Sequence, residues 1–350
     1  MSGSTGEMKT SSSGSRLLSP EEIAVRGGPQ VPYVQLLDRA SVFADRETRL
    51  RQRSASHSMR DFLLFMAEVA RAQHEVLQAS PAVPLPDAPA LDAAALAGKP
   101  PIPAVLWPRD AAWRNGLRDL LDRLIPRLNG SPAQAGVQSL RDMTDAHVEQ
   151  QADKLLGGVM LGLDFAAAPL IAAGLQTYWT HMALAARDSR SQGSPDPFGR
   201  TDDPRLCPCC GSRPTASVSR IGADSSGFRY LHCSLCSTEW HMVRIKCTHC
   251  QSTKGIHYQS LEPVASQADA KDKSTARKQA VEAETCDECG HYLKIMHMER
   301  DAYVDPTADD LASITLDLLV AEEGFQRHGV NLLLLFGDPE VAADSAVDSA

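Results

Sequence analysis

Nine cysteines carry most of the chemistry available to this chain, and all lie between positions 207 and 289. Eight form four Cys-x-x-Cys pairs: Cys207/Cys210, Cys233/Cys236, Cys247/Cys250 and Cys286/Cys289. The ninth, Cys209, sits inside the first pair. One such pair is a weak signal, but four in one segment make two full sets of thiolate ligands for tetrahedral ions. Two intervening residues let a tight turn aim both sulfurs at one centre. Pro208 presets φ early in the first turn, and Gly211 after it permits positive φ. Gly290 closes the fourth turn in the same way, whereas Ser237 and Gln251 follow the second and third, leaving those two turns less defined. Consecutive pairs are assigned together: Cys207, Cys210, Cys233 and Cys236 to one ion, Cys247, Cys250, Cys286 and Cys289 to the other. Interleaved pairing is the alternative.

Tetrahedral sulfur suits zinc and iron equally. A closed four-thiolate zinc site is structural, whereas iron there can change oxidation state by one electron. Neither leaves a position open for water or substrate, so hydrolysis at these sites is not expected. Each centre with a divalent ion carries a charge of −2, to be offset by backbone amides and by cations such as Arg244 and Lys246. Cys209 cannot reach the same ion through the two-residue spacer and is expected to be a free thiol. His232, His241, His249, His257, His291 and His297 share the segment, six of the eleven histidines. With eight thiolates filling two sites, they are expected beside the ligands or on the surface. Disulfides and a thioredoxin-type redox pair are the other uses of Cys-x-x-Cys. The first lacks an export signal, and the second needs a pair opening a helix after a buried strand.

The segment around the cysteines reads as strands and turns. Residues 216–221 and 228–232, separated by Gly222 and by Asp224 to Gly227, have hairpin chemistry, and 238–246 is expected as a further strand. Upstream, residues 21–186 read mostly as helix. Met59, Phe62, Leu63, Met66, Val69, Ala70, Val76 and Leu77 form an apolar stripe at helical spacing. Residues 81–103 hold seven prolines and are expected as an extended or irregular link. Helices are expected at 111–128, 142–156 and 172–187. Residues 155–175 are apolar except for Asp164, and the Gly/Ala content with Pro169 makes them buried helix rather than a membrane span. Residues 264–281 are polar with alternating charge and are expected as a mobile excursion or a short helix within the second cysteine module. Asp305-Pro306-Thr307 and Asp310 start a helix in capping-box style, continued by Leu311, Ile314, Leu318 and Ala321 and ended by Gly324 and Gly329. Acid pairs such as Asp202/Asp203, Asp309/Asp310 and Glu322/Glu323 are expected to solvate surfaces or cap helices.

Composition narrows the function. The chain has 350 residues, about two domains' worth, with 43% hydrophobic and 23% charged residues, which excludes wholesale disorder and a small disulfide scaffold. Its net charge of −9 argues against a surface that grips phosphate backbones. Residues 207–300 hold twelve Lys or Arg against ten Asp or Glu, an excess that two four-thiolate centres would reverse. A nucleic-acid-binding zinc ribbon and a thiol–disulfide oxidoreductase stay as alternative readings. Residues 1–16 lack the apolar stretch of a secretory signal, so a cytoplasmic location without membrane insertion is expected. No Gly-x-Gly-x-x-Gly, Walker, His-Glu-x-x-His or Gly-x-Ser-x-Gly motif occurs, and no enzyme activity is expected.

The combination resembles the formate dehydrogenase accessory protein FdhE family over residues 35–337. The resemblance rests on Cys207-Pro-Cys-Cys210-Gly-Ser, Cys233-Ser-Leu-Cys236-Ser-Thr-Glu-Trp240, Cys247-Thr-His-Cys250 and Cys286-Asp-Glu-Cys289-Gly. It continues in Asp61-Phe-Leu-Leu-Phe-Met-Ala, Ala70-Arg-Ala-Gln73, Leu175-Gln-Thr-Tyr178-Trp179 and Asp309-Asp310-Leu-Ala-Ser-Ile-Thr-Leu-Asp317. It departs in the 264–281 excursion and at Asn331-Leu332, where many relatives have Asn-Pro. The expected fold class is α+β: a helical N-terminal domain, two tandem rubredoxin-like or zinc-ribbon modules and a C-terminal helix. The expected boundaries are a tail at 1–20, the helical domain at 21–187, a linker at 188–206, ribbons at 207–246 and 247–300, a helix and end segment at 301–337, and a tail at 338–350. The resemblance implies a cytoplasmic maturation factor that holds two iron ions, zinc being the alternative, and contacts the catalytic subunit of formate dehydrogenase before export. The junction of helices and ribbons around Trp240 is the expected docking surface.

Overall fold

The computed structural model describes residues 31–36, 38–191, 196–221, 227–261 and 279–335. The two expected tails, most of the 264–281 excursion and residues 222–226 of the hairpin turn lie outside them. After a two-residue strand, β1 (Val34–Gln35), the chain enters helices α1 (Val42–Ser54) and α2 (Arg60–Gln78). Six of the eight residues of the stripe foreseen on α2 form its core face, Leu63, Met66, Val69, Ala70, Val76 and Leu77, whereas Phe62 is only partly buried and Met59 precedes the helix. The expected link at 81–103 contains a further helix, α3 (Ala88–Leu96). Asp87 caps it by accepting the Ala90 amide at 2.9 Å, and Pro89 sits in the first turn, where a missing N–H costs nothing. The alanines that follow are the strongest helix formers, so here proline starts the helix instead of preventing it.

Helices α4 (Ala112–Leu124), which tightens into a 3-10 turn at Ile125–Leu128, α5 (Ala133–Arg141), α6 (Asp145–Gly157) and α7 (Ala168–Asp188) complete the helical half. The apolar run at 155–175 is not one helix. Gly158 ends α6 in the left-handed conformation at φ +69°. Asp164 then accepts the Ala166 and Ala167 amides, and Pro169 opens α7. Val159, Leu161 and Phe165 in the intervening loop are exposed. No helix among the described residues is long and apolar enough to cross a membrane. Helix α7 is apolar on nearly every side and is buried from Leu170 to Leu184. Its Trp179 donates to the Ile102 carbonyl at 3.2 Å, and Gln73 of α2 donates to the Ala173 carbonyl at 2.9 Å.

The cysteine region supplies strands β2 (Pro214–Ser219), β3 (Arg229–Cys233), β4 (Glu239–Met242), β5 (Ile256–Gln259), β6 (Val281–Cys286), β7 (His291–His297) and β8 (Gln326–Arg327). The two ribbons do not stand apart. They share one sheet of order β1-β4-β3-β2-β7-β6-β5, joined by parallel pairing of β2 with β7, while β8 adds to β7. Strand β4 is shorter than the expected 238–246. Val243 and Ile245 are exposed, and Ile245 has φ +55°, a costly conformation for a β-branched residue, where the chain turns towards Cys247.

The helix after Asp305 starts as expected but is two helices, α8 (Pro306–Leu311) and α9 (Ile314–Glu322). Asp305 accepts the Thr307 and Ala308 amides, and the reciprocal bond comes from Asp309, whose carboxylate accepts the Asp305 amide at 2.9 Å. Gly324, at φ +91°, follows α9, whereas Gly329 lies beyond β8. The break between the two helices has an electrostatic cause. Lys294 of β7 inserts there, donating to the Asp310 carbonyl at 2.9 Å and the Ser313 hydroxyl at 3.0 Å, and pairing with Asp317 at 2.6 Å. Asp309 and Asp310 are therefore not surface solvators. Asp309 is buried against Arg49 of α1 at 2.8 Å, and Asp310 against Lys294 and Arg327.

Burial alone would raise the Asp310 carboxyl, but Arg327 and Lys294 outweigh it and hold the group at about 2, below its ordinary 3.8. A depressed acid stabilises the fold above its unfolded value and loses that contribution as pH falls through the folded one. Between about pH 4 and pH 2 the protein should lose about 2 kcal/mol that an Asp310→Asn variant does not lose. Urea unfolding at both pH values checks this. Gly329 makes a second test of packing, since an added Cβ would lie 2.3 Å from the Thr215 carbonyl oxygen and 2.8 Å from Leu293 Cδ1. Gly329→Ala should cost about 1–3 kcal/mol in the same measurement. In α5, where an added Cβ at Gly136 meets nothing within 4 Å, Gly136→Ala should gain roughly 0.5–1 kcal/mol.

Candidate metal centres

The structure brings the eight paired cysteines together as two groups of four, consecutive pairs in each: Cys207, Cys210, Cys233 and Cys236, and Cys247, Cys250, Cys286 and Cys289. Within each group every sulfur lies within 4.8 Å of the others. The cross-pair distances are 3.5 Å for Cys207–Cys236 and Cys210–Cys233, and 3.7 Å for Cys247–Cys289 and Cys250–Cys286. Sulfurs bonded tetrahedrally to an ion at about 2.3 Å stand about 3.8 Å apart, so both groups have the dimensions of a four-thiolate cage. All nine cysteines are free of disulfides.

Each turn that aims a pair ends on a left-handed residue: Gly211 (φ +74°), Ser237 (+57°), Gln251 (+64°) and Gly290 (+68°). Ser237 and Gln251 thus take the conformation that glycine takes in the other two turns, and such strain in a non-glycine residue collects at functional sites. The turns also point amides at sulfur. Cys233 Sγ accepts from the Leu235 and Cys236 amides at 3.4 Å, and Cys247 Sγ from the His249 and Cys250 amides at 3.3 and 3.5 Å. Backbone donors, more than Arg244, meet the ligand charge; the exposed Arg244 donates to the Gly227 carbonyl instead.

The thiols report on what the cages need. Burial pushes Cys207 and Cys233 well above the ordinary thiol range, and Cys247 and Cys289 are raised for the same first cause. In each group one thiol runs the other way. Burial opposes ionisation of Cys236 and Cys250, but hydrogen bonds from the neighbouring cysteines, and at Cys250 first from the Ser252 backbone, bring them below it. Four thiolates held within 4.8 Å of one another repel, and a cation at their centre offsets that repulsion. The donor set therefore fits a borderline-soft divalent ion, whose binding displaces the remaining thiol protons.

The two cages differ in cover. The first is sealed: Cys207, Cys210, Cys233 and Cys236 are no more than 2% exposed and belong to the main hydrophobic core. The Ile102 and Ala104 amides donate to the Cys209 and Cys210 carbonyls at 3.2 and 2.9 Å, and Gln176 of α7 donates to the Ser234 carbonyl at 2.8 Å. Ile102 lay in the segment read as a link and Ala104 just beyond it; a lone amide such as Gln176 in an apolar helix was the one signal that something polar lay across from it. Trp240 is fully buried, its indole donating to the Pro204 carbonyl at 2.9 Å, so it is no part of an exposed docking surface. Cys209 is also fully buried, and burial pushes its thiol well above the ordinary range, the opposite of what a thiol catalyst needs. In the second cage Cys250 is exposed and Cys289 partly so.

The histidines divide. His232 is buried with its Nδ1 3.3 Å from Glu239, which also binds Arg220. His257 is exposed beside Asp287, and His297 lies between Glu282 and Glu299. His249 and His291 stack at 3.6 Å, nearly parallel, against the second cage, and His328 meets His249 edge-on. Burial lowers His328 to about 4, so it is neutral at pH 7. No motif around His328 announced its place here.

Profiles of the FdhE family match the chain in three stretches: FdhE, N-terminal at 31–194, FdhE, central domain at 206–244, and FdhE, C-terminal domain at 245–334. The FdhE homolog of Cronobacter sakazakii is 37% identical over 301 residues, 86% of this chain and 90% of that protein. The chain belongs to the FdhE family. The Salmonella arizonae protein FdhE is also 37% identical, over 90% of this chain and 95% of its own. The crystal structure of the FdhE protein from Pseudomonas aeruginosa superposes with a TM-score of 0.71 at 35% identity, covering 88% of this chain and all of that one. The α+β architecture, with its helical N-terminal half and paired cysteine ribbons, is thus the FdhE fold.

Proposed function

We propose that this protein is a cytoplasmic maturation factor for respiratory formate dehydrogenase. It holds one ion in each four-cysteine cage and docks the catalytic subunit before export, without catalysis of its own. The observation that carries this reading is the pair of four-sulfur cages, dimensioned for tetrahedral ions, in a chain of the FdhE family. Cys207, Cys210, Cys233 and Cys236 hold the first ion, and Cys247, Cys250, Cys286 and Cys289 the second. Iron is the proposed ion: held by four thiolates it supplies one-electron chemistry, whereas zinc supplies only a cross-link. Protein purified from iron-replete cells should be red-brown and bleach on reduction. Colourless protein with two zinc ions per chain would remove the redox role and leave docking. Docking is tested by co-purification from cells that make formate dehydrogenase. The catalytic subunit should accompany the tagged protein, and its absence from cells blocked in export would refute the partner assignment.

A further inference from the structure

We propose that the second cage is the centre at which metal is exchanged, and that His249, Cys289 and His291 form a neighbouring donor set that receives the ion as it enters or leaves. The inference rests on the metal-binding reading above. Three observations carry it.

The first is the contrast in cover. The first cage has no solvent-facing sulfur, and the loop at 102–104 and Gln176 are laced over its turns. An ion could leave it only if the turns that bury all four cysteines opened. The second cage presents Cys250 and Cys289 to solvent. The second observation is the donor set. One ligand atom from each of His249, Cys289 and His291 lies within 4.8 Å of the others, and Cys289 belongs to this set and to the four-sulfur cage at once. Among the described residues no such set adjoins the first cage.

The third is the state of the two imidazoles. His291 Nδ1 lies 2.8 Å from the Cys289 carbonyl oxygen and so carries the ring proton, which leaves the Nε2 lone pair available. His249 Nδ1 is buried and has no hydrogen-bond partner. Iron, zinc and cobalt in the divalent state accept both thiolate and imidazole. With an ion bound, Cys289 would be shared by both donor sets, and the imidazole nitrogens of His249 and His291 would offer ligands in place of the other thiolates. Each released thiolate takes up a proton from water, and the ion stays divalent throughout.

The test uses full-length protein loaded with cobalt(II), whose absorption distinguishes four-thiolate from mixed sulfur–nitrogen coordination. Elemental analysis first establishes two ions per chain; a chain that binds none overturns the metal reading itself. With two ions present, a chelator should remove one fast and one slowly, and alkylation quenched during the fast phase should label Cys250 and Cys289. A transient with weakened sulfur-to-cobalt absorption should precede loss of the first ion. The His249→Gln/His291→Gln variant should release the fast ion severalfold more slowly than the unmodified protein, with the slow ion unchanged. The inference fails if the first cage empties first, if no mixed-ligand transient forms in the unmodified protein, or if the double variant releases metal at the unmodified rate.

Discussion

Cys233→Ser will destabilise the protein far more than Cys250→Ser, although both remove one ligand from a four-sulfur cage. Cys233 ends β3 inside the main core, and its sulfur accepts two backbone amides. On the proposed reading, losing that thiolate forfeits the ion that would join the 207–210 turn to the 233–236 turn. It also leaves Cys207, Cys210 and Cys236 packed without a cation at the base of the helices. Loss of a structural metal ranks among the few single changes that cost on the order of 4–5 kcal/mol or more. Cys250 is exposed, so water can take the vacated ligand position and the cost should be about 1–2 kcal/mol. Thermal denaturation with metal analysis of each variant checks both halves. Equal losses would mean that the cages are not the unequal structures described here.

Asp310→Ala should be the most damaging change outside the cages. The carboxylate lies between Lys294 at 2.9 Å and Arg327 at 2.7 Å and accepts the Asn331 amide at 2.8 Å, all in the interior. The network as a whole contributes little net stability, since desolvating these ions offsets their attraction. Removing its central anion is different, because a lysine only about 1% exposed is left with less compensation, and such losses cost about 3–5 kcal/mol. Glu322→Ala, on the exposed end of α9, should stay within about 0.5 kcal/mol. Urea unfolding of the two variants side by side is the measurement, and near-equal midpoints would show that Lys294 finds enough compensation in Asp317 alone.

The cages were legible because ligand spacing is a local property: a turn of four residues sets two sulfurs regardless of the rest of the fold. The α2 stripe and the Asp305 cap were legible for the same reason. What escaped was decided by partners distant in sequence. Asp309 and Asp310 look like any surface pair until Arg49, Lys294 and Arg327 arrive from other elements. The break between α8 and α9 follows from Lys294, which no helix pattern contains. The fusion of two ribbons into one sheet depends on parallel β2–β7 pairing, which has no signature in either strand. The apolar run at 155–175 misled because hydrophobicity without period does not tell helix from loop, and Gly158 and Asp164 decided the matter.

Native mass spectrometry of the intact chain, run before and after acid removes bound metal, addresses the account most directly. The expected native mass exceeds that of the bare chain by two metal ions, and mild alkylation before acid leaves the buried cysteines unlabelled. A native mass equal to the bare polypeptide, with all nine thiols modified, would contradict it.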